Sequence, residues 1–126
     1  MKLRITPDSL RLRVSQSDLA RFIQSGRIEE TIQFSADDSA KLTYAMELSE
    51  DQCDIAVRYQ TQQITLLISN RVARHWERAD RVGIYGTVKL RERELQLIVE
   101  KDFACLDGSD KDNLDTFPNP KEGTVC

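Results

Sequence analysis

The sequence predicts an α+β domain, mainly antiparallel β, in which a duplicated ββαββ unit forms an eight-stranded barrel-like sheet with two short helices. Three observations carry this. Apolar and polar side chains alternate along eight short segments, the period-two signature of strands that hide one face. Two other segments switch to helical spacing behind a serine able to cap a helix. The order strand, strand, helix, strand, strand then recurs when the chain is shifted by 54 residues. That shift carries Arg4 onto Arg58, Ser15 onto Ser69, Phe22 onto Trp76 and Ile28 onto Val82.

The first strand alternates Leu3 and Ile5 with Lys2 and Arg4. Thr6-Pro7-Asp8-Ser9 turns it back, proline fixing φ and aspartate bonding its own backbone. The second strand sets Leu10, Leu12 and Val14 against Arg11 and Arg13. The first helix lies within 15–26: Ser15 caps its start, Gly26 closes its end, and Leu19, Phe22 and Ile23 share a face. Ile28, Ile32 and Phe34 form the third strand, its apolar face interrupted by Glu30. A turn at Ala36-Asp37-Asp38-Ser39 leads to the fourth, Leu42, Tyr44, Met46 and Leu48. Ile55, Val57 and Tyr59 make a hairpin with Ile64, Leu66 and Ile68. The second helix starts at Ser69-Asn70, buries Val72, Ala73 and Trp76, and runs to 79–80. Val82, Ile84, Gly86 and Val88 share a face of the seventh strand, and Leu95, Leu97 and Val99 of the eighth, with the polar run 91–94 between them. Strands with one apolar face must close or stack to protect their edges. A barrel plugged by the helices is the expected solution, and a two-layer sheet covered by both helices is the alternative.

The 126 residues divide into a single β-rich domain over 1–106, with repeats over 1–49 and 55–103, and an extended acidic tail over 107–126 that Leu114 and Phe117 would anchor. A chain of this length buries roughly two-thirds of its unfolded surface and needs no staples. The formal charge of −3 argues against a nucleic-acid binder, which neutralises phosphates with a basic excess. The charge is uneven, however. Residues 1–27 carry Lys2, Arg4, Arg11, Arg13, Arg21 and Arg27 against Asp8 and Asp18, while 102–115 carry five aspartates against Lys111. A local basic face is therefore compatible with the acidic total. No apolar run approaches the roughly 20 residues of a spanning helix. Three cysteines without framework spacing suit a reducing compartment, so a cytoplasmic protein with no membrane partner is expected.

Two blocks carry a family resemblance. The opening Met1-Lys-Leu-Arg-Ile with 9–22, and the closing 99–107 with Phe117-Pro-Asn-Pro, resemble a family of small uncharacterised bacterial proteins, over nearly the whole chain. That resemblance implies no activity. The doubled strand–helix order is also similar in topology to the CYTH-type triphosphate tunnel fold, whose barrel is lined by charged side chains holding a triphosphate and metal ions. The Glu-x-Glu-x-Lys signature of that family is missing: the first strand reads Lys2-Leu3-Arg4-Ile5.

The chemistry-bearing residues are few. Arg4, Arg11, Arg13 and Arg58, with Lys2, stand on the polar side of their strands, where guanidinium forks at alternate positions can cradle an anion. The bland alternative is a solvated sheet face, with arginines paired to Glu29, Glu47 or Glu100. Cys105, Cys126 and His75 lack the close ligand pairs of a zinc site, and read as packing residues, a terminal thiol and a helical histidine. Asp107, Asp110, Asp112 and Asp115 do not meet the spacing of a calcium loop. The expected function is a small non-catalytic binding or interaction domain without a cofactor. Its partner is an anionic small molecule or a protein, a second copy of the chain included. A phosphate binder using the four arginines and a divergent tunnel-type enzyme are the alternatives.

Overall fold

The computed structural model describes residues 1–78, 80–103 and 115–117. Its elements are β1 (Lys2–Thr6), β2 (Ser9–Val14), α1 (Gln16–Ser25), β3 (Arg27–Gln33), β4 (Lys41–Ser49), β5 (Ile55–Gln60), β6 (Gln63–Ser69), α2 (Asn70–Trp76), β7 (Gly83–Lys89) and β8 (Glu94–Lys101). All eight strands and both helices fall where the periodicity places them. Ser15 and Asp18 form a capping box at the start of α1, and Gly26 ends it in the left-handed conformation that glycine adopts without strain. Ser69 caps α2 through Val72 N. That helix stops at Trp76, short of the expected 79–80. Beyond its end the Arg78 carbonyl accepts a 2.6 Å hydrogen bond from Lys101 Nζ.

The strands do not close into a barrel. They form two four-stranded sheets, ordered β1-β2-β8-β7 and β3-β4-β6-β5. The cause lies in the helices. Each carries the chain from one sheet to the other, so each ββαββ half gives one hairpin to each sheet. Where hairpins from the two halves meet, β2 with β8 and β4 with β6, the pairing is parallel. Each sheet is therefore mixed, with two antiparallel ladders and one parallel. A barrel would also need backbone ladders joining β5 to β7 and β1 to β3. Neither ladder forms, and the two seams differ. At one, Gly86 on β7 lies so close to Ile55 on β5 that a Cβ there would overlap Ile55 Cγ2. At the other, the Met1 ammonium reaches Glu30 on β3 at 3.2 Å and Asp18 on α1 at 2.9 Å.

One apolar core lies between the sheets. The inward row Leu3–Leu12–Val99–Ile84 crosses the first sheet, and Val57–Leu66–Met46–Ile28 crosses the second. Leu19 and Phe22 of α1 and Val72, Ala73 and Trp76 of α2 complete the core. Trp76 is wholly buried and its Nε1 donates to the Val82 carbonyl at 3.2 Å.

The halves correspond in topology with small slips. The parallel pair Ser9–Gln96 matches Gln63–Thr43, which moves β2 onto β6 by 54 residues but β4 onto β8 by 53. The hairpins then fix β3 onto β7 at 56, so Ile28 matches Ile84 and not Val82.

Candidate binding surface

The outward face of β1 and β2 collects four cations. In the antiparallel register Lys2 stands directly opposite Arg13, and Arg4 directly opposite Arg11. Opposed side chains on a sheet sit roughly 5 Å apart at Cβ, and like charges so placed destabilise the pairing. Here two like-charge pairs follow one another along the same two strands, roughly 6.7 Å apart by the strand rise. Neutralisation is partial. Arg11 Nε pairs with Glu100 on β8 at 3.3 Å, and Lys2 Nζ with Asp102 at 2.8 Å. Tyr85 on β7 donates to Glu100 at 3.1 Å, drawing on the same carboxylate. Arg4 and Arg13 are exposed and have no hydrogen-bond or ion-pair partner among the described residues.

Three of the four arginines singled out from the sequence thus come together, joined by Lys2. Arg58 does not join them. It lies on β5 in the second sheet, where its guanidinium meets Glu47 at 3.3 Å. Arg27 bonds the same Glu47 at 3.0 Å and Glu29 at 2.8 Å, so that face is internally paired, as the solvated-face alternative expected. The topological counterparts of Lys2/Arg13 are Ala56/Leu67, and those of Arg4/Arg11 are Arg58/Thr65. The fold can therefore be built without stacking like charges at these positions.

At the α1 end of this face a cleft of about 340 Å³ opens between Lys2, Arg13, Ser17, Asp102 and Asp115. The segment 115–117 closes its far side. Asp115 accepts hydrogen bonds from Ser17 N at 3.1 Å and from the Ser17 hydroxyl. Those bonds hold its carboxyl below the usual carboxylate range. Gln16 N donates to the Asp115 carbonyl at 3.0 Å, and Phe117 N to the Asp102 carbonyl at 2.8 Å. The Phe117 ring meets Phe103 edge-on, 6.2 Å between centroids, and lies 5.3 Å from Lys101 Nζ. The amide groups at the start of α1 are thus served by the chain itself.

A second polar group is internal. Asp18, only 5 % exposed, accepts from the Met1 ammonium, from Ser15 N at 3.1 Å and from Arg21 at 2.6 Å. Tyr44 donates to Glu30 at 2.7 Å. Burial opposes both charges, but the hydrogen bonds outweigh it: Asp18 is held below its ordinary range and the Met1 ammonium above its own. Burial first, then Glu30, pushes the Tyr44 hydroxyl up to about 12. At the corresponding positions of the other half stand Val72, Gly86 and Leu97, so the opposite seam is apolar where this one is ionic. The sequence marked Glu30 as an interruption. It gave no sign of Asp18 or Tyr44 as its neighbours, because their meeting depends on the sheet order.

The other chemistry-bearing residues stay apart. His75 is exposed on α2 beside Arg71, Arg74 and Arg78, around a shallow depression of about 430 Å³. Arg71, Arg74 and Arg78 recur at helical spacing, so this stripe is legible in the sequence. Cys53 is exposed. Cys105, Cys126, Asp107, Asp110, Asp112 and Leu114 lie outside the described residues. Among the described residues no group of His, Cys, Asp or Glu is placed to hold a metal ion. No helix among them is long and apolar enough to cross a membrane.

The model of a family of unknown function, DUF7009, matches residues 1–121. The chain belongs to that family. No curated protein and no solved structure matches it, so the likeness to the triphosphate tunnel fold finds no structural counterpart.

Proposed function

We propose that this member of a family of unknown function is a non-catalytic binding domain whose working surface is the outward face of β1 and β2, and that its partner is anionic. The observation that carries this is the two like-charge cross-strand pairs, Lys2 opposite Arg13 and Arg4 opposite Arg11, of which Arg4 and Arg13 have no ion-pair partner among the described residues. An anion laid across the face would relieve both repulsions at once, and guanidinium groups bind carboxylate or phosphate oxygens bidentately. A tunnel-type enzyme has no support: Leu12, Leu66, Leu97, Met46 and Trp76 fill the space where a charged tunnel would run. We also infer that the halves descend from one duplicated ββαββ unit, on the matching element order and registers, and that an odd, unframed set of cysteines suits work in a reducing cytoplasm.

Thermal unfolding at low salt with tripolyphosphate, nucleotides and acidic peptides tests the surface. A rise in midpoint that shrinks with added salt, and that disappears in Arg4→Ala/Arg11→Ala, is expected. A rise of equal size in that double variant would remove the surface from the account.

A further inference from the structure

The partner can be specified further by its shape, resting on the anion-binding reading above. β1 is an edge strand of the first sheet. Beyond its ladder with β2, residues 2–6 make no backbone hydrogen bond with any described residue. Along one side of β1, then, a row of N–H and C=O groups is left unpaired among the described residues. The residues on that strand alternate with period two. Lys2 and Arg4 point outward onto the cationic face, while Leu3 and Ile5 point toward the interior. Leu3 is half-buried, but Ile5 remains 54 % exposed, because among the described residues no strand lies beyond β1 to cover it.

Other edges lack this combination. β5 and β7 are packed against each other where Gly86 meets Ile55. β3 carries Arg27 and Glu29 outward, already bonded to each other. The N-terminal end of β1 is pinned through Met1 to Asp18 and Glu30, so that end of the strand is held in place before any partner arrives. Cations on an edge deter pairing with a like-charged strand, which excludes a second copy of β1 as the occupant. The same charges select an acidic strand.

We infer that β1 receives an extended acidic segment of a partner protein by strand addition. The segment would carry carboxylates at alternate positions against Lys2, Arg4 and the neighbouring Arg11 and Arg13, and apolar side chains between them over Ile5. Main-chain hydrogen bonds supply affinity in this mode, and the alternate side chains supply selectivity. A flat face beside an open edge suits an extended chain better than a compact anion, which would leave both Ile5 and the edge groups uncovered.

The test uses the full chain, isotopically labelled, and three probes: a heptapeptide alternating glutamate with valine, the same composition with its glutamates in one block, and tripolyphosphate. Tighter binding of the alternating peptide than of the block peptide, by about tenfold, is expected. Exchange of the alternate β1 amides that face away from β2 should slow only with the alternating peptide. N-methylating that peptide's backbone should remove the difference, as should Arg4→Glu, whereas Arg58→Glu on the other sheet should leave it intact. Equal binding of both peptides, or binding without protection of the β1 amides, overturns strand addition and leaves anion binding standing. Binding of tripolyphosphate alone does the same. If no probe binds, both readings fall.

Discussion

Replacing Gly86 by alanine tests the seam where β7 meets β5 without a backbone ladder. In a strand, alanine gains roughly 0.5–1 kcal/mol over glycine through the lost freedom of the unfolded chain. Here the added methyl would enter the space of Ile55 Cγ2. Overpacking of this kind costs about 1–3 kcal/mol, so Gly86→Ala should destabilise by about 1–2 kcal/mol net. Ile55 is 7 % exposed, and Ile55→Ala should cost about 2–4 kcal/mol through the cavity it leaves. In the double variant the new methyl partly fills that cavity. Its cost should fall short of the sum by about 1 kcal/mol or more. Urea unfolding of the four proteins, read as midpoint and slope, gives the coupling directly. Additivity within about 0.3 kcal/mol, or stabilisation by Gly86→Ala alone, would show that β5 and β7 do not meet through these residues.

Stability should be level between about pH 4 and 8 and fall on either side. Asp18 is held below its ordinary 3.8, so its contribution is present above that value and lost as pH falls through the folded one. The Met1 ammonium is raised above 8.0, so its contribution is complete below pH 8 and lost as pH rises through the folded value. Urea midpoints across pH should show both limbs, and Asp18→Asn should flatten both and lower the plateau by about 2–3 kcal/mol. Lys101 is 3 % exposed, and burial lowers its pKa although Asp80 acts the other way. Exchanging such a buried cation for an apolar side chain of similar length is often neutral or stabilising. Lys101→Met should therefore change the stability read from urea unfolding by no more than about 1 kcal/mol at pH 7, and a loss well beyond that would show that the bond from Lys101 to the Arg78 carbonyl outweighs the cost of burying the ammonium. Trp76→Ala, which empties the largest fully buried site, should cost about 3–5 kcal/mol by the same measurement.

The strands and helix starts were legible because their causes are local. Leu10, Leu12 and Val14 alternate with Arg11 and Arg13 whatever lies beside them, and Ser15 and Ser69 cap the residues that follow. Partner choice was not legible. Nothing within 9–14 says that β2 pairs in parallel with β8, which is more than eighty residues away. The barrel expectation failed there, since alternation fixes how many faces are hidden but not which strands are neighbours. Grouping Arg58 with Arg4 failed for a related reason: the two match in the halves, and the helices send matching hairpins to different sheets. A single shift of 54 fits the strands and helix before Ile28 and so carries it onto Val82, because the two extra residues between α2 and β7 leave no mark in the periodicity. Asp18 was legible after all. Ser15 followed at the third position by an acid is a capping box, but its second role, holding the Met1 ammonium, depended on the packing of β1 against α1.

Thermal unfolding of Arg4→Glu, with and without the alternating acidic peptide, bears most directly on the cationic face. The substitution turns a repulsive cross-strand pair with Arg11 into an attractive one, worth roughly 0.5–1 kcal/mol at an exposed site. The unliganded midpoint should rise by about 2–4 °C, while the further rise caused by the peptide should vanish. A lower unliganded midpoint, or an undiminished response to the peptide, would mean that these cations serve only to solvate the sheet.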